Sequence, residues 1–376
     1  MICSISATVL CLRCSVPNLA WGIYPELADG NPAERASRVA TASPRIRNKS
    51  ALRARINYWR RIFAAYLTPQ SSQLTFWHDS PTCNEELSAT ELGQYYMPFL
   101  RKAAYDSHLD ANGIPMLNYH GVIGLQYNPI AIAQYGLGNY NVFARSGSDV
   151  AFGKFINVAE WLVSNLERNP HGVWVWNHKF DWDYRDTLKA PWYSGLAQGQ
   201  GISVLVRAFH TTKQERYLEA ADRALEAFTR RIEDGGVTFI DERGDSWYEE
   251  YLVPPPPTHI LNGFMWGSWG LYDHYLATGS ATSKRLFDSA VVTLSKNLYR
   301  FDAGFWSLYE LSGTRMKMLA SPFYHRLHIA QLRVFDRLTG EPVFREFADR
   351  WEGYERSFVG RKRALAYKSI FKLLYY

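Results

Sequence analysis

From Asn128 onward, apolar residues recur at three- and four-residue spacing in segments that arrive two at a time. The pattern predicts helices over 129–143 with 150–168, 193–211 with 214–233, 260–278 with 283–300, and 322–339 with 343–358. A short polar turn such as Thr211-Thr212-Lys213 or Thr278-Gly279-Ser280 joins the members of each pair. First members are rich in Gly, Ala, Gln and aromatic residues, as in Ala197-Gln-Gly-Gln-Gly201 and 262–270, which marks an inner, buried layer. Second members carry a charged face, such as Arg216, Glu219, Asp222, Arg223 and Glu226, which marks an outer layer. Such pairs, repeating at roughly 65 residues, predict a mainly α protein: an α/α toroid of about four helix pairs forming an incomplete barrel.

Upstream the periodicity changes. Between 95 and 127, Asp110-Ala-Asn-Gly113 and Pro115 break short segments, and Met116-Leu-Asn-Tyr-His120 alternates, so a small β-hairpin region is expected. Earlier still, Leu52, Ile56, Trp59, Ile62, Phe63 and Tyr66 predict a helix over 51–67. The expected organisation is a basic N-terminal extension over 1–90 with one or two helices, a hairpin segment over 91–127, an α/α catalytic domain over 128–358, and a C-terminal tail over 359–376.

With 376 residues, 47% hydrophobic, the chain is globular, and its 13 Trp, 24 Tyr and 20 Phe serve either a large core or platforms for sugars and bases. The net charge of +6 is uneven: residues 32–61 carry +8, leaving −2 for the rest. A solvated arm explains this without a nucleic-acid partner, since no recognition motif accompanies it. Cys3, Cys11, Cys14 and Cys83 are too few for a disulfide framework, and the lone Cys11-Leu-Arg-Cys14 lacks a second ligand pair for a metal. No run is long enough to span a bilayer, and the first residues, interrupted by Arg13, form only a weak secretory leader. A soluble protein is expected, with the cytoplasm slightly favoured.

Long connections over 169–192 and 235–259 precede inner helices and should hold the site. The second contains Trp247-Tyr-Glu-Glu-Tyr251 and then Pro254 to Pro257, a stiff, extended spacer without backbone donors. The candidate loops place Glu250, Tyr251, Tyr309, Tyr324 and His325 near basic Lys179, Arg185 and Lys189. There is no metal-ligand spacing, phosphate cradle or nucleophile elbow, which leaves proton transfer. A phenol ordinarily titrates near ~10, so tyrosine serves as a base only where cations lower that value. The same cations would neutralise a substrate carboxylate and stabilise an enediolate formed by loss of the adjacent carbon-bound proton. Each tyrosine taken singly is equally a packed ring with its hydroxyl at the rim, and the glutamates equally solvated or capping groups.

Several ordered motifs between Gln94 and Arg356 resemble the D-glucuronyl C5-epimerase family. They are Tyr127-Asn-Pro129 with Ile132-Ala-Gln-Tyr-Gly-Leu137, Trp192-Tyr-Ser194 with Ala197-Gln-Gly-Gln200, Trp247-Tyr-Glu-Glu-Tyr251, Asn262-Gly-Phe264, Gly270-Leu-Tyr-Asp273 and 342–351. The resemblance implies an α/α barrel preceded by β structure, a homodimer, no cofactor and no metal. It implies conversion of D-glucuronate to L-iduronate within a heparosan-like acidic polysaccharide, with catalytic Glu250, Tyr251, Tyr309 and Tyr324. Lys179, Arg185, Trp192, Tyr193, Gln198, Asn262, Arg315 and His325 are the expected substrate-binding residues. The run after Tyr309, Glu310-Leu-Ser-Gly-Thr-Arg315, departs from the Asp-Leu-Arg-His-like run of animal members, so Arg315 is a candidate only. Competing readings are a uronan lyase, which expels the 4-linked sugar after the same proton abstraction, a glycosidase pairing Glu250 with Asp181, Asp183 or Asp186, and a non-catalytic glycan-binding module.

Overall fold

The computed structural model describes residues 81–119, 121–313 and 315–375. The basic arm, the helix expected over 51–67, and Cys3, Cys11 and Cys14 lie outside the described residues. A short helix α1 (Leu100–Ala103) and a hairpin of β1 (Met116–Asn118) and β2 (Leu125–Tyr127) precede the helical array, with Met116 opposite Tyr127.

Four helix pairs follow: α2 (Pro129–Ser146) with α3 (Asp149–Ser164), α4 (Gly195–Thr212) with α5 (Glu215–Thr229), α6 (Leu261–Thr278) with α7 (Ala281–Asn297), and α8 (Pro322–Thr339) with α9 (Pro342–Arg356). Helices α2, α4, α6 and α8 form the inner layer, α2 against α4, α4 against α6 and α6 against α8, and α3, α5, α7 and α9 cover them. The fold is therefore mainly α, an α/α toroid. Local chemistry sets the inner helix ends. The Asn128 side chain accepts from the backbone N–H groups of Ile130 and Ala131 ahead of Pro129, and Ser194 and Ser321 cap α4 and α8 in the same way. Gly147, Gly279 and Gly340 end helices in the left-handed conformation, and Lys213 adopts it at the end of α4.

The tightest inner contact joins α4 and α6. A Cβ on Gly199 would collide with the backbone of Gly267, and one on Gly270 with the backbone of Gly199, so the two helices approach through their glycines.

The long connections hold more regular structure than expected. Hairpins β3 (Leu166–Arg168) with β4 (Trp174–Trp176) and β5 (Trp182–Asp183) with β6 (Thr187–Leu188) occupy the first, and β7 (Thr238–Ile240) with β8 (Ser246–Tyr248) the second. The strand β3 takes the residues expected to finish α3. The expected C-terminal tail is instead a helix, α10 (Phe358–Tyr375), packed on α9. Its buried Ala364, Leu365 and Phe371 are sparse among Arg361, Lys362, Arg363 and Lys368, and that basic density masks the apolar stripe in the sequence.

At the C-terminal ends of the inner helices, residues 84–103 cross the array. Arg337 of α8 donates to the carbonyls of Asn84, Glu85 and Leu87, and Tyr272 of α6 donates to that of Ala89. Arg207 of α4 donates to the Gly93 carbonyl, and Asn141 of α2 to those of Tyr95, Met97 and Pro98. Beneath them Arg207 forms a fully buried bidentate pair with Asp273, which also accepts from the Tyr96 hydroxyl. This end is closed. The N-terminal ends of the inner helices meet the hairpin connections.

Candidate active site

The turn after β8 sends two adjacent glutamates to different fates. Glu249 is buried and engaged: its Oε2 accepts from the His259 N–H at 3.0 Å and from the Thr258 hydroxyl, and its Oε1 meets His259 Nδ1. The Trp247 ring stacks on His259 at 4.3 Å, so the proline-rich connection is anchored at both ends. Glu250 points to the mouth of the barrel. It is 5% exposed, and its Oε2 has no hydrogen-bond partner among the described residues. A Cβ on Gly263, in the first turn of α6, would overlap this carboxylate, so the glycine makes the space that Glu250 occupies. Burial pushes the carboxyl up to about 8, aided by the negative charge of Glu249 and opposed by the nearby Tyr251 hydroxyl.

Phenols surround it. The Tyr251 ring lies 4.6 Å from that of Tyr184, centroid to centroid, and 5.8 Å from Trp192, and the Tyr309 ring meets Tyr324 edge-on at 4.8 Å. The charge of Glu250 reaches the hydroxyls of Tyr184, Tyr251, Tyr309 and Tyr324 alike. Backbone pairing fixes the array, because Tyr309 donates its N–H to the Met318 carbonyl at 2.8 Å and accepts from Leu261, the first residue of α6, at 3.1 Å. Tyr324 sits in the first turn of α8, its N–H capped by Ser321. Tyr119, Phe180, Trp182 and Trp192 form an aromatic wall beside Tyr251.

Burial raises all four site tyrosines above the ordinary value near 10. This differs from the expectation of cation-lowered phenols: burial favours the neutral hydroxyl at each of them. The expected cations are committed elsewhere. Lys179 is exposed and paired with Glu167 at 2.6 Å, and Lys189 with Asp181 at 2.6 Å. Arg185 pairs with Asp186 and donates to the carbonyls of Pro254 and Pro256, so it braces the proline run. Asp181 and Asp183 are taken up in the same hairpin, Asp183 by the Thr187 hydroxyl at 2.7 Å. Arg315 lies exposed in the connection before α8.

Other expected binding residues divide. Trp192 stacks flat on His178 at 3.8 Å and edges onto Tyr251, within the site wall. Asn262 is buried beside Gly263, and its Oδ1 has no hydrogen-bond partner among the described residues. Tyr193 is turned away, donating its hydroxyl to the Gly235 carbonyl at 2.9 Å. Gln198 is consumed by the backbone of Trp174, Trp176 and Ala224. His325 is fully buried between Ser307 and the Trp351 carbonyl, stacked on Trp306 at 3.8 Å, and burial lowers it to about 3. Its neighbour Tyr324 faces the site, and one helical step carries His325 to the interface with α9.

Three residues the sequence did not single out complete the cluster. The Tyr184 hydroxyl donates to Glu310 Oε2, across 126 residues of chain. The Ser312 hydroxyl donates to Glu310 Oε1. The alternation Tyr309-Glu310-Leu311-Ser312 was the available signal, since it places Glu310 and Ser312 on one side of an extended segment.

A family model described as "D-glucuronyl C5-epimerase C-terminus" matches residues 168–353. Over 216 residues the chain is 33% identical to a D-glucuronyl C5-epimerase from Caenorhabditis elegans, covering 53% of this chain and 34% of that protein. An uncharacterized protein from Methanocaldococcus jannaschii is 29% identical over 204 residues, covering 52% of this chain and 64% of that one. The chain therefore spans about a third and just under two thirds of these two relatives' lengths. Among solved structures, cellobiose 2-epimerase from Spirochaeta thermophila aligns with a TM-score of 0.44 and 15% identity, over 67% of this chain and 64% of that one. An unsaturated glucuronyl hydrolase specific for heparin aligns with a TM-score of 0.42 and 11% identity, over 78% and 82%.

Proposed function

We propose that this protein, whose residues 168–353 match the D-glucuronyl C5-epimerase family model, is a carbohydrate epimerase that inverts C5 of D-glucuronate residues in a heparosan-like polysaccharide. The observation that carries the reading is the pairing of one buried carboxylate, poised near neutrality, with a group of neutral phenols. C5 inversion needs a base on one face of the sugar and an acid on the other, and these groups supply both.

In this mechanism ionised Glu250, linked to Tyr251, takes the C5 proton. The electron pair left on C5 is delocalised into the substrate carboxylate as an enediolate, which neutral donors around it stabilise. A phenol on the opposite side, from Tyr324 supported by Tyr309, returns a proton to C5. The sugar leaves inverted, and exchange with water restores both groups. Trp192 and its aromatic neighbours present apolar faces suited to the ring C–H groups of a sugar. A homodimer working without cofactor or metal is part of the same proposal.

The test is to incubate the protein with heparosan in deuterated water and follow C5 by NMR, with ultraviolet absorbance recorded in parallel. Deuterium at C5 together with new iduronate signals and flat absorbance is expected. Rising absorbance from an unsaturated product would replace epimerisation by lyase chemistry, and an inert substrate would sink the heparosan assignment.

A further inference from the structure

Glu310 is 4% exposed and Tyr184 2%, and the hydrogen bond between them joins the β5–β6 hairpin to the segment that carries Tyr309. The Tyr184 ring packs directly on Tyr251. The Leu311 N–H, next in the chain, donates to the Thr258 carbonyl at 2.8 Å, so this segment is also tied to the loop that Glu249 anchors. A buried carboxylate is costly unless hydrogen bonds and opposite charge compensate it. Two hydroxyls provide the hydrogen bonds. Of the two cations whose charge reaches Glu310, Arg185 is spent on Asp186 and the proline carbonyls. The other is Lys368 of α10, half-buried, whose Nζ donates to the Leu319 carbonyl at 2.9 Å on the strand-like segment beside Tyr309. Burial lowers the Lys368 ammonium to about 8, and Glu310 opposes that shift.

We propose that Glu310 is a positioning residue of the site, holding the Tyr184 ring against Tyr251 by accepting the Tyr184 hydroxyl, and that Lys368 braces the neighbouring segment through its hydrogen bond to the Leu319 carbonyl. The C-terminal helix, which lies beyond the family-matched residues 168–353, is then a working part of the site. The consequence for turnover rests on the epimerase reading; the consequence for Tyr251 does not.

The experiment uses the full chain labelled with 3-fluorotyrosine and observed by fluorine NMR, with the Tyr251 resonance identified by its loss in Tyr251→Phe. Glu310→Gln and Tyr184→Phe should both move that resonance, Lys368→Met should move it the same way, and Lys368→Arg should restore it. Tyr184→Phe keeps the ring and removes only the hydroxyl, so it reports even if Glu310→Gln folds poorly. On the same proteins, kcat for deuterium incorporation should fall roughly 10- to 100-fold with KM within about twofold, as for a displaced acid–base group. A Tyr251 resonance unmoved by Tyr184→Phe and Lys368→Met would overturn the proposal. A wild-type protein that incorporates no deuterium would sink the epimerase reading alone, because the Tyr251 resonance still decides the positioning role.

Discussion

Glu249 and Glu250 share a side chain and a neighbourhood, yet one is satisfied on both oxygens and the other keeps a buried oxygen open. The difference decides how each behaves with pH. The native Glu250 carboxyl titrates at about 8 against an ordinary 4.5, so the fold favours its protonated form. Its contribution to stability is complete below the ordinary value and is lost as pH rises through about 8. Urea midpoints of wild type and Glu250→Gln should therefore diverge in favour of the glutamine variant between pH 5 and pH 9. Activity should run the other way, with deuterium incorporation at C5 climbing through about pH 8 as the base ionises. Glu250→Gln should lose that limb and roughly 100-fold or more in rate. Tyr251→Phe or Tyr324→Phe should cost turnover while leaving affinity for the polysaccharide within about twofold, checked by calorimetry beside the exchange assay. The clustering of Glu250, Tyr251 and Tyr309 was legible because they fall in connections ahead of inner helices, and that of Tyr324 because it lies in the first turn of one. The pairing of Glu310 with Tyr184 was not, since the local alternation around Glu310 says nothing of a partner 126 residues away. His325 misled for a related reason: a histidine beside a site tyrosine on a helix faces a different way.

Among the elements, the inner helices were legible nearly to their ends because apolar and small residues recur along them and short polar turns follow them. The hairpins in the connections were obscured by their length, two or three residues per strand, too short for an alternating pattern to stand out. The glycines of α4 and α6 tie helix packing to the site. Gly199→Ala should destabilise the protein by about 1–3 kcal/mol or more, because backbone rather than a flexible side chain opposes the new methyl. Thermal unfolding would register it. Gly263→Ala should instead act mainly on catalysis, displacing the Glu250 carboxylate and removing the pH limb near 8 with a smaller loss of stability. Equal losses of stability from both variants, with the pH limb intact in Gly263→Ala, would contradict this division.

For the molecule as a whole, the two ends of the barrel carry opposite chemistry. The site end holds a carboxylate with an unpaired oxygen, while the other end holds a charge pair with every strong group engaged. Asp273→Asn would leave Arg207 buried beside a neutral partner and should cost about 3–5 kcal/mol, read as a lower urea midpoint, with the pH dependence of the remaining folded enzyme unchanged. Acid should weaken the fold by a separate route. Burial holds His178 and His325 neutral down to about 3, and shifts His328 in the same direction, so the stability they contribute is present above the ordinary 6.5 and drains away as pH falls below it.

The strap formed by residues 84–103 also bears on traffic. It hydrogen-bonds the C-terminal halves of all four inner helices and so lies across the end of the array away from the phenols. For the polymer substrate proposed above, the approach left by the described residues is across the rim that the hairpin connections form: one sugar residue would dip toward the phenols and lift off by the way it came, with both ends of the polymer free on the same side throughout.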